Sequence, residues 1–239
     1  MMTKETEEQL RQWAARYNTL EFIAEDPVQF PHRYKNSSQQ DVEISGFLTA
    51  YLSFGNRKQI VKACNILDEL MGKSPHRYVM SRRWATDFLA DNEASFYRMI
   101  SYAKMNDVFS RLYEVYSAYS TLEMSLLGQQ GPTPFDRLCS LFGMSNKSPQ
   151  KKMNMFLRWM IRNDGIVDFG LWKNFSPAEL IIPLDTHVCR MAYLLGITSS
   201  KVYSLANAKT ITEELKRIFP SDPCLGDFAL FGYGVENKQ

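Results

Sequence analysis

At 239 residues, with 45% of them hydrophobic and 13% aromatic, the chain is long enough to bury one large core or two small ones and is expected to be a soluble, globular protein. Lys and Arg number 28 against 26 Asp and Glu, so the formal charge of +2 excludes bulk electrostatics as a sign of a nucleic-acid partner. The first twelve residues carry no apolar core and no run of about 18 apolar residues occurs anywhere, so neither secretion nor membrane spanning is expected, and the cytoplasm is the expected compartment.

In chain order, Glu5 to Tyr17 has helical periodicity, and Asp26-Pro27 through Pro31 with the polar run after it reads as a connector. From Asp41 the residues Ile44, Phe47, Leu48, Tyr51 and Leu52 recur at spacings of three and four. They mark a core-facing stripe on a helix that should stop near Gly55. A second helix is expected from about Arg57 to Met71, punctuated by Gly72 and Pro75. Arg77 to Ala90 and Ala94 to Tyr102 read as shorter helices, Asp107 to Tyr119 as a firmer one, and Thr121 to Leu127 as another.

The run Gly128-Gln129-Gln130-Gly131-Pro132-Thr133-Pro134 is the strongest breaker in the chain and the expected crossing between two lobes. Beyond it come a helix over Phe135 to Phe142, a turn over Gly143 to Pro149, and a basic helix over Gln150 to Arg162. Ser148 is expected to cap that helix, with Pro149 at its first position. A loop through Asp168-Phe169-Gly170-Leu171-Trp172 leads to helices over Asp185 to Leu195, Leu205 to Phe219 and about Cys224 to Tyr233. No sustained alternation of two and no internal repeat is present, so the fold class is all-α.

Two features could carry chemistry. Asp185 follows Pro183 and precedes an apolar-periodic run, the pattern of an N-cap whose carboxylate accepts from backbone N–H groups and stays ionised at the positive end of a helix. Between Lys147 and Arg162 lie five cations, Lys147, Lys151, Lys152, Arg158 and Arg162, and no acid. Taken by pattern alone, the first is an ordinary cap and the second either a solvated helix face or a phosphate-facing patch.

Leu184-Asp185-Thr186-His187-Val188-Cys189-Arg190 resembles the Val-Asp-Thr-His-x-x-Arg signature of the helix-hairpin-helix, Gly/Pro-Asp superfamily of DNA glycosylases, whose aspartate is catalytic. The run from Asn154 through Asp168-Phe169-Gly170-Leu171-Trp172 to Val188, with Asp227-Phe228-Ala229-Leu230-Phe231-Gly232, resembles a largely uncharacterised bacterial family of that superfamily, related to the base excision repair glycosylases. The resemblance implies a two-lobed helical glycosylase-like fold with a helix-hairpin-helix-like element. Its lobes would be roughly 41–130 and 131–205, with 1–40 and 206–239 packing together as part of the second lobe.

The resemblance also implies roles. In the superfamily the nucleophilic lysine opens the helix after the hairpin in a Lys-x-Ala-Asn or similar context, which Lys151-Lys152-Met153-Asn154 matches with Lys151 at the nucleophile position. Lys151 and Asp185 are the expected catalytic residues, Lys147, Ser148, Lys152 and Arg158 the expected DNA contacts, and Phe169 and Trp172 the candidate walls of a base pocket. A carboxylate stabilises the positive charge developing on the sugar, and a lysine amine displaces the base through a Schiff base. The separation of 185 − 151 = 34 residues is long for the superfamily and is similar to that of archaeal glycosylases for oxidised guanine.

Two departures stand out. The hairpin of the superfamily reads Leu-Pro-Gly-x-Gly, whereas this chain has Met144-Ser145-Asn146-Lys147-Ser148-Pro149-Gln150 without the glycines that let backbone N–H groups approach a phosphate. Gly55, in Leu52-Ser53-Phe54-Gly55-Asn56, stands where several relatives carry a glutamine that enters the duplex. Cys64, Cys139, Cys189 and Cys224 lie far apart with no C-x-x-C pair, so core thiols are expected, with no iron–sulfur cluster, metal or other cofactor. His187 is expected to pack or orient.

The expected function is thus a DNA base excision repair glycosylase, with an associated lyase step at abasic sites. It would act as a monomer on double-stranded DNA carrying a damaged base, oxidised guanine first among the candidates, and associate with the nucleoid when bound. The alternatives are a non-catalytic nucleic-acid-binding module that keeps the fold, and a helical interaction protein whose basic stripe meets an acidic partner.

Overall fold

The computed structural model of the protein describes residues 2–236. Its helices in chain order are α1 (Lys4–Tyr17), α2 (Leu20–Glu25), α3 (Gln29–His32), α4 (Gln39–Leu52), α5 (Arg57–Met71), α6 (Pro75–Met80), α7 (Trp84–Asp87), α8 (Tyr102–Ala118), α9 (Leu122–Leu127), α10 (Pro134–Leu141), α11 (Lys151–Ile161), α12 (Thr186–Leu194), α13 (Leu205–Lys216) and α14 (Cys224–Glu236). A short antiparallel hairpin, β1 (Ser95–Tyr97) and β2 (Ile100–Ser101), is the one sheet among the described residues. The fold class is all-α. No helix among those residues is long and apolar enough to cross a membrane. The chain divides into two compact units, one from Glu25–Gln130 and the other from the residues up to Ala24 together with those from Gly131 onward.

In the Glu25–Gln130 unit, α4 is the central helix and is buried on nearly every side rather than along one stripe. Burial extends to Glu43, which has no exposed surface. Its carboxylate accepts from the Tyr116 hydroxyl at 2.9 Å and from the Leu122 N–H at 2.9 Å, the first turn of α9, so a helix N-terminus holds the charge. Asp41, two residues earlier, accepts from the N–H of His76 at the start of α6. Two carboxylates of one helix therefore set the starting points of two others.

Residues 25–40 belong to this unit, whereas the sequence-based division put them with the other. The Tyr34 hydroxyl donates to Asp68 at 2.7 Å and lies 3.0 Å from the Gly72 carbonyl, and Arg33 pairs with Asp68 at 2.7 Å, tying the segment to α5. The helix expected over Ala94 to Tyr102 is instead the β1–β2 hairpin. Arg98 turns it at φ 53°, the Tyr97 hydroxyl donates to the Phe54 carbonyl, and Phe96 packs edge-on against Phe88 and Tyr102. Consecutive aromatics with partners on both faces favour extended backbone over a helix.

In the other unit, α1 lies along α14. Trp13 stacks on Tyr233 with ring centroids 4.0 Å apart, and a Cβ at Gly232 would fall 2.2 Å from the Tyr17 ring. Glycine is what lets these helices approach so closely. Helix α11 runs through the interior, with Met153, Phe156, Trp159 and Met160 buried, and the following loop returns along it through Phe169 N–H to Trp159 C=O and Trp172 N–H to Met160 C=O. Those bonds satisfy carbonyls left open at the end of α11. All four cysteines are buried and carry no disulfide.

Gly232→Ala should therefore lower the chemical-denaturation midpoint, at a cost of about 1–3 kcal/mol from overpacking against Tyr17; an unchanged midpoint would show that α1 is not held where the packing implies.

Candidate functional site

The site is built from two helix starts within one unit. Helix α10 ends at Gly143, whose φ of 63° lets the Gly143 N–H reach Ser140 C=O and the Met144 N–H reach Cys139 C=O. This is a Schellman closure that turns the chain toward α11. The cap expected at Ser148 is not formed. Ser148 is exposed, and the cap position is Gln150 in the left-handed region at φ 37°, with no side-chain cap bond. Such a conformation costs a non-glycine residue about 1–3 kcal/mol. It is held by the buried Asn154, whose amide donates to the Pro149 carbonyl at 2.8 Å, and by the Gln150 amide on the Ser145 carbonyl at 3.0 Å.

This turn aims Lys151, the first residue of α11, at Asp185. Leu180 to Leu184 are buried and approach extended, and Asp185 caps α12 as its sequence context predicts, one carboxylate oxygen accepting from the Val188 N–H at 2.8 Å. The other oxygen accepts from the Lys151 ammonium at 3.0 Å. A lysine and an acid 34 positions apart thus meet with fixed orientation, because the cap bond decides which oxygen is free to face the amine. The side chains retain 30% and 14% of their exposure, so the pair is partly shielded yet reachable.

Lys152 is half-buried, and burial pulls its ammonium down to about 8. Lys147 and Ser148 are exposed in the turn ahead of α11.

Arg158 is not a surface cation. It is 6% exposed, its guanidinium 3.0 Å from Asp227 of α14 and 3.4 Å from Asp168 in the returning loop. Arg162 pairs with Asp168 at 2.8 Å, with Asp222 at 2.7 Å and with Asp164. Both guanidinium planes also lie over the Phe228 ring. The apparent basic stripe of α11 is therefore half interior: a buried cation needs its acids, and these arrive from distant sequence. Burial pushes the Asp227 carboxyl up to about 6, a rise that Arg158 opposes and Asp185 reinforces. Asp227 Oδ1 is buried with no hydrogen-bond partner among the described residues.

Trp172 is 1% exposed and packs edge-on against Phe156, so it belongs to the core, and Phe169 is half-buried with its N–H bound to the Trp159 carbonyl. The open aromatic surface lies elsewhere, in a cleft of about 460 Å³ where Tyr193 and Leu194 of α12 face Lys201 and Tyr203 of the next loop. Burial raises the Tyr203 phenol above its ordinary pKa, and the Lys151 and Asp185 charges and the Lys151 backbone act on it as well, so the cleft adjoins the ion pair. Nothing in the periodicity separates Tyr193 and Tyr203 from core aromatics; only their exposure, 37% and 49%, does so. His187 is half-buried on α12 beside Gly234 of α14, a packing position.

Fold and site together define a helical protein that presents a lysine at one helix start to a capping aspartate at another. The chain belongs to a family described as Protein of unknown function (DUF2400), whose model matches residues 26–142 and 136–236. No curated protein and no solved structure matches it.

Two outcomes follow from the buried charges. Arg158→Met should destabilise the fold by about 3–5 kcal/mol in denaturant titration, since it leaves buried carboxylates without their cation. Because the folded Asp227 carboxyl keeps its proton up to about 6 while the unfolded one loses it near 3.8, its contribution to stability falls as pH rises between those values and is level above them. Asp227→Asn should flatten that slope in unfolding curves taken from pH 4 to about 6.5; an unchanged slope would mean another group titrates.

Proposed function

We propose that this protein is a DNA glycosylase of the helix-hairpin-helix superfamily acting through a lysine, with α10, its turn and α11 as the helix-hairpin-helix-like element. The observation that carries the reading is the 3.0 Å contact between Lys151 and Asp185, two residues singled out by separate motifs and brought together by separate helices. The hairpin glycines are replaced by a turn that Asn154 and a left-handed Gln150 hold in shape.

The chemistry suits the pair. Lys151 gives up a proton toward Asp185, and its amine attacks the anomeric carbon of the damaged nucleotide as the bond from that carbon to the base breaks. The base leaves with the bonding electron pair and takes up the proton, and the opened sugar remains joined to Lys151 as a Schiff base. Asp185, one oxygen on its cap bond and the other facing Lys151, stabilises the positive charge that develops on the sugar once it has passed that proton on to the base. Elimination at the sugar then supplies the lyase step. Double-stranded DNA is the partner and oxidised guanine the leading base, on the strength of the spacing shared with the archaeal branch. Lys147 and Ser148 are the phosphate contacts that this reading keeps.

A second reading, a nucleic-acid-binding module without turnover, draws on the same ion pair, because a lysine that neutralises an aspartate can serve structure alone.

Borohydride treatment of the protein on duplexes carrying oxidised guanine, an oxidised pyrimidine, uracil or an abasic site should trap a covalent adduct that Lys151→Ala abolishes and Lys152→Ala retains. Asp185→Asn should lower base release by about 10²-fold or more. Base release without any adduct would remove the Schiff-base mechanism, and neither signal on any duplex would leave the binding module.

A further inference from the structure

The cleft next to the ion pair has three properties that belong together. Its exposed walls are aromatic and aliphatic, with Leu194 64% exposed between Tyr193 and the facing Tyr203. Its charged lining is cationic only: Lys201 sits 4.4 Å from the centre of the Tyr193 ring, Arg190 lies one turn back on α12, and no carboxylate borders the space. Its loop wall is built rather than slack, for the buried Asn207 donates to the carbonyls of Ser200 and Val202 at 3.2 and 3.0 Å and to Cys189 Sγ at 3.4 Å, and Thr198 bonds the same amide group at 2.7 Å. One asparagine thus pins the segment carrying Lys201 and Tyr203 against α12.

Exposed tyrosines beside cations, in a space with no carboxylate in its lining, suit a ligand with a flat π-face and a negative charge at short spacing. A nucleotide of an unpaired strand has both, whereas the bases of a continuous duplex are stacked and their faces are out of reach. Apolar protein or lipid would use Leu194 and the rings but would offer Lys201 no anion. We propose that this cleft binds an unpaired nucleotide flanking the reaction site, its base on Tyr193 and Tyr203 and its phosphate on Lys201, so that the preferred substrate is a lesion beside a bubble or flap in duplex DNA. The inference rests on the nucleic-acid reading above and deepens it by naming the form of the substrate.

The experiment is fluorescence anisotropy of the full chain on a labelled oligothymidine of about 12 nucleotides and on a blunt duplex, with Tyr193→Ala, Tyr203→Ala, Tyr203→Phe and Lys201→Gln. Circular dichroism and melting of each variant establish that it folds. Tyr193→Ala and Tyr203→Ala should each weaken single-strand binding about tenfold while changing duplex binding less than about twofold, and Tyr203→Phe should bind as the unaltered protein does. Lys201→Gln should reduce the steepness of the salt dependence on the single strand by about 0.7. Single-strand binding that survives both alanine variants, or that weakens in step with duplex binding, overturns the proposal. So does a concentration-dependent dimer abolished by Leu194→Asp, which would assign the cleft to a second copy of the chain. Borohydride trapping and base release separate the two readings: ring-dependent strand binding with neither a trapped adduct nor base release removes the glycosylase and leaves the cleft, and an adduct with ring-independent binding does the reverse.

Discussion

The buried pairing of Arg158 and Arg162 with Asp164, Asp168, Asp222 and Asp227 is the constraint on which the rest of its unit depends. Two guanidinium groups inside a helical core are untenable without anions, and the anions come from the loop after α11, from the segment before α14 and from α14 itself. Their geometry is directional as well as electrostatic, because a guanidinium offers its donors in a fixed plane. Meeting it locks the rotation of α11 about its own axis. Lys151 lies two turns before Arg158 on that helix, so the interior charges decide which way the first residue of α11 faces.

The helical class, most of the helices and the cap at Asp185 were all legible in the sequence, for a common reason. Each rests on local pattern or on a motif whose spacing is fixed by one turn of helix. What was not legible rests on long-range partners. Arg158 looks like a surface cation until acids 10 and 69 residues away are placed beside it, and Trp172 looks like a pocket wall until Phe156 is found against it. The cap expected at Ser148 failed because Pro149 and Gln150 adopt a turn stabilised from Asn154, a contact that no capping rule anticipates. The hairpin at 95–101 was missed because its adjacent aromatics, Phe96 and Tyr97, satisfy a helical stripe as readily as a strand.

The arrangement divides labour between rigid and reachable parts. Interior salt bridges and the Asn154 turn fix backbone, while the groups suited to chemistry or binding, Lys151, Asp185, Tyr193, Lys201 and Tyr203, sit where those supports end. The pinning of the 200–203 segment by Asn207 follows the same logic at smaller scale: a polar side chain deep in the fold holds a loop whose outer face is open.

The contact of α1 with α14 has a bearing on synthesis. Every residue of Glu25–Gln130 leaves the ribosome before α14 exists, so that unit can complete its core early, with α4 and its two carboxylates all in hand. Helix α1 cannot: the stacking of Trp13 on Tyr233 and the glycine seat for Tyr17 become available only when the last helix emerges. During the interval an amphipathic helix with an exposed tryptophan waits in solution, which makes α1, made before the Glu25–Gln130 unit but sheltered only after it, the natural point for chaperone engagement.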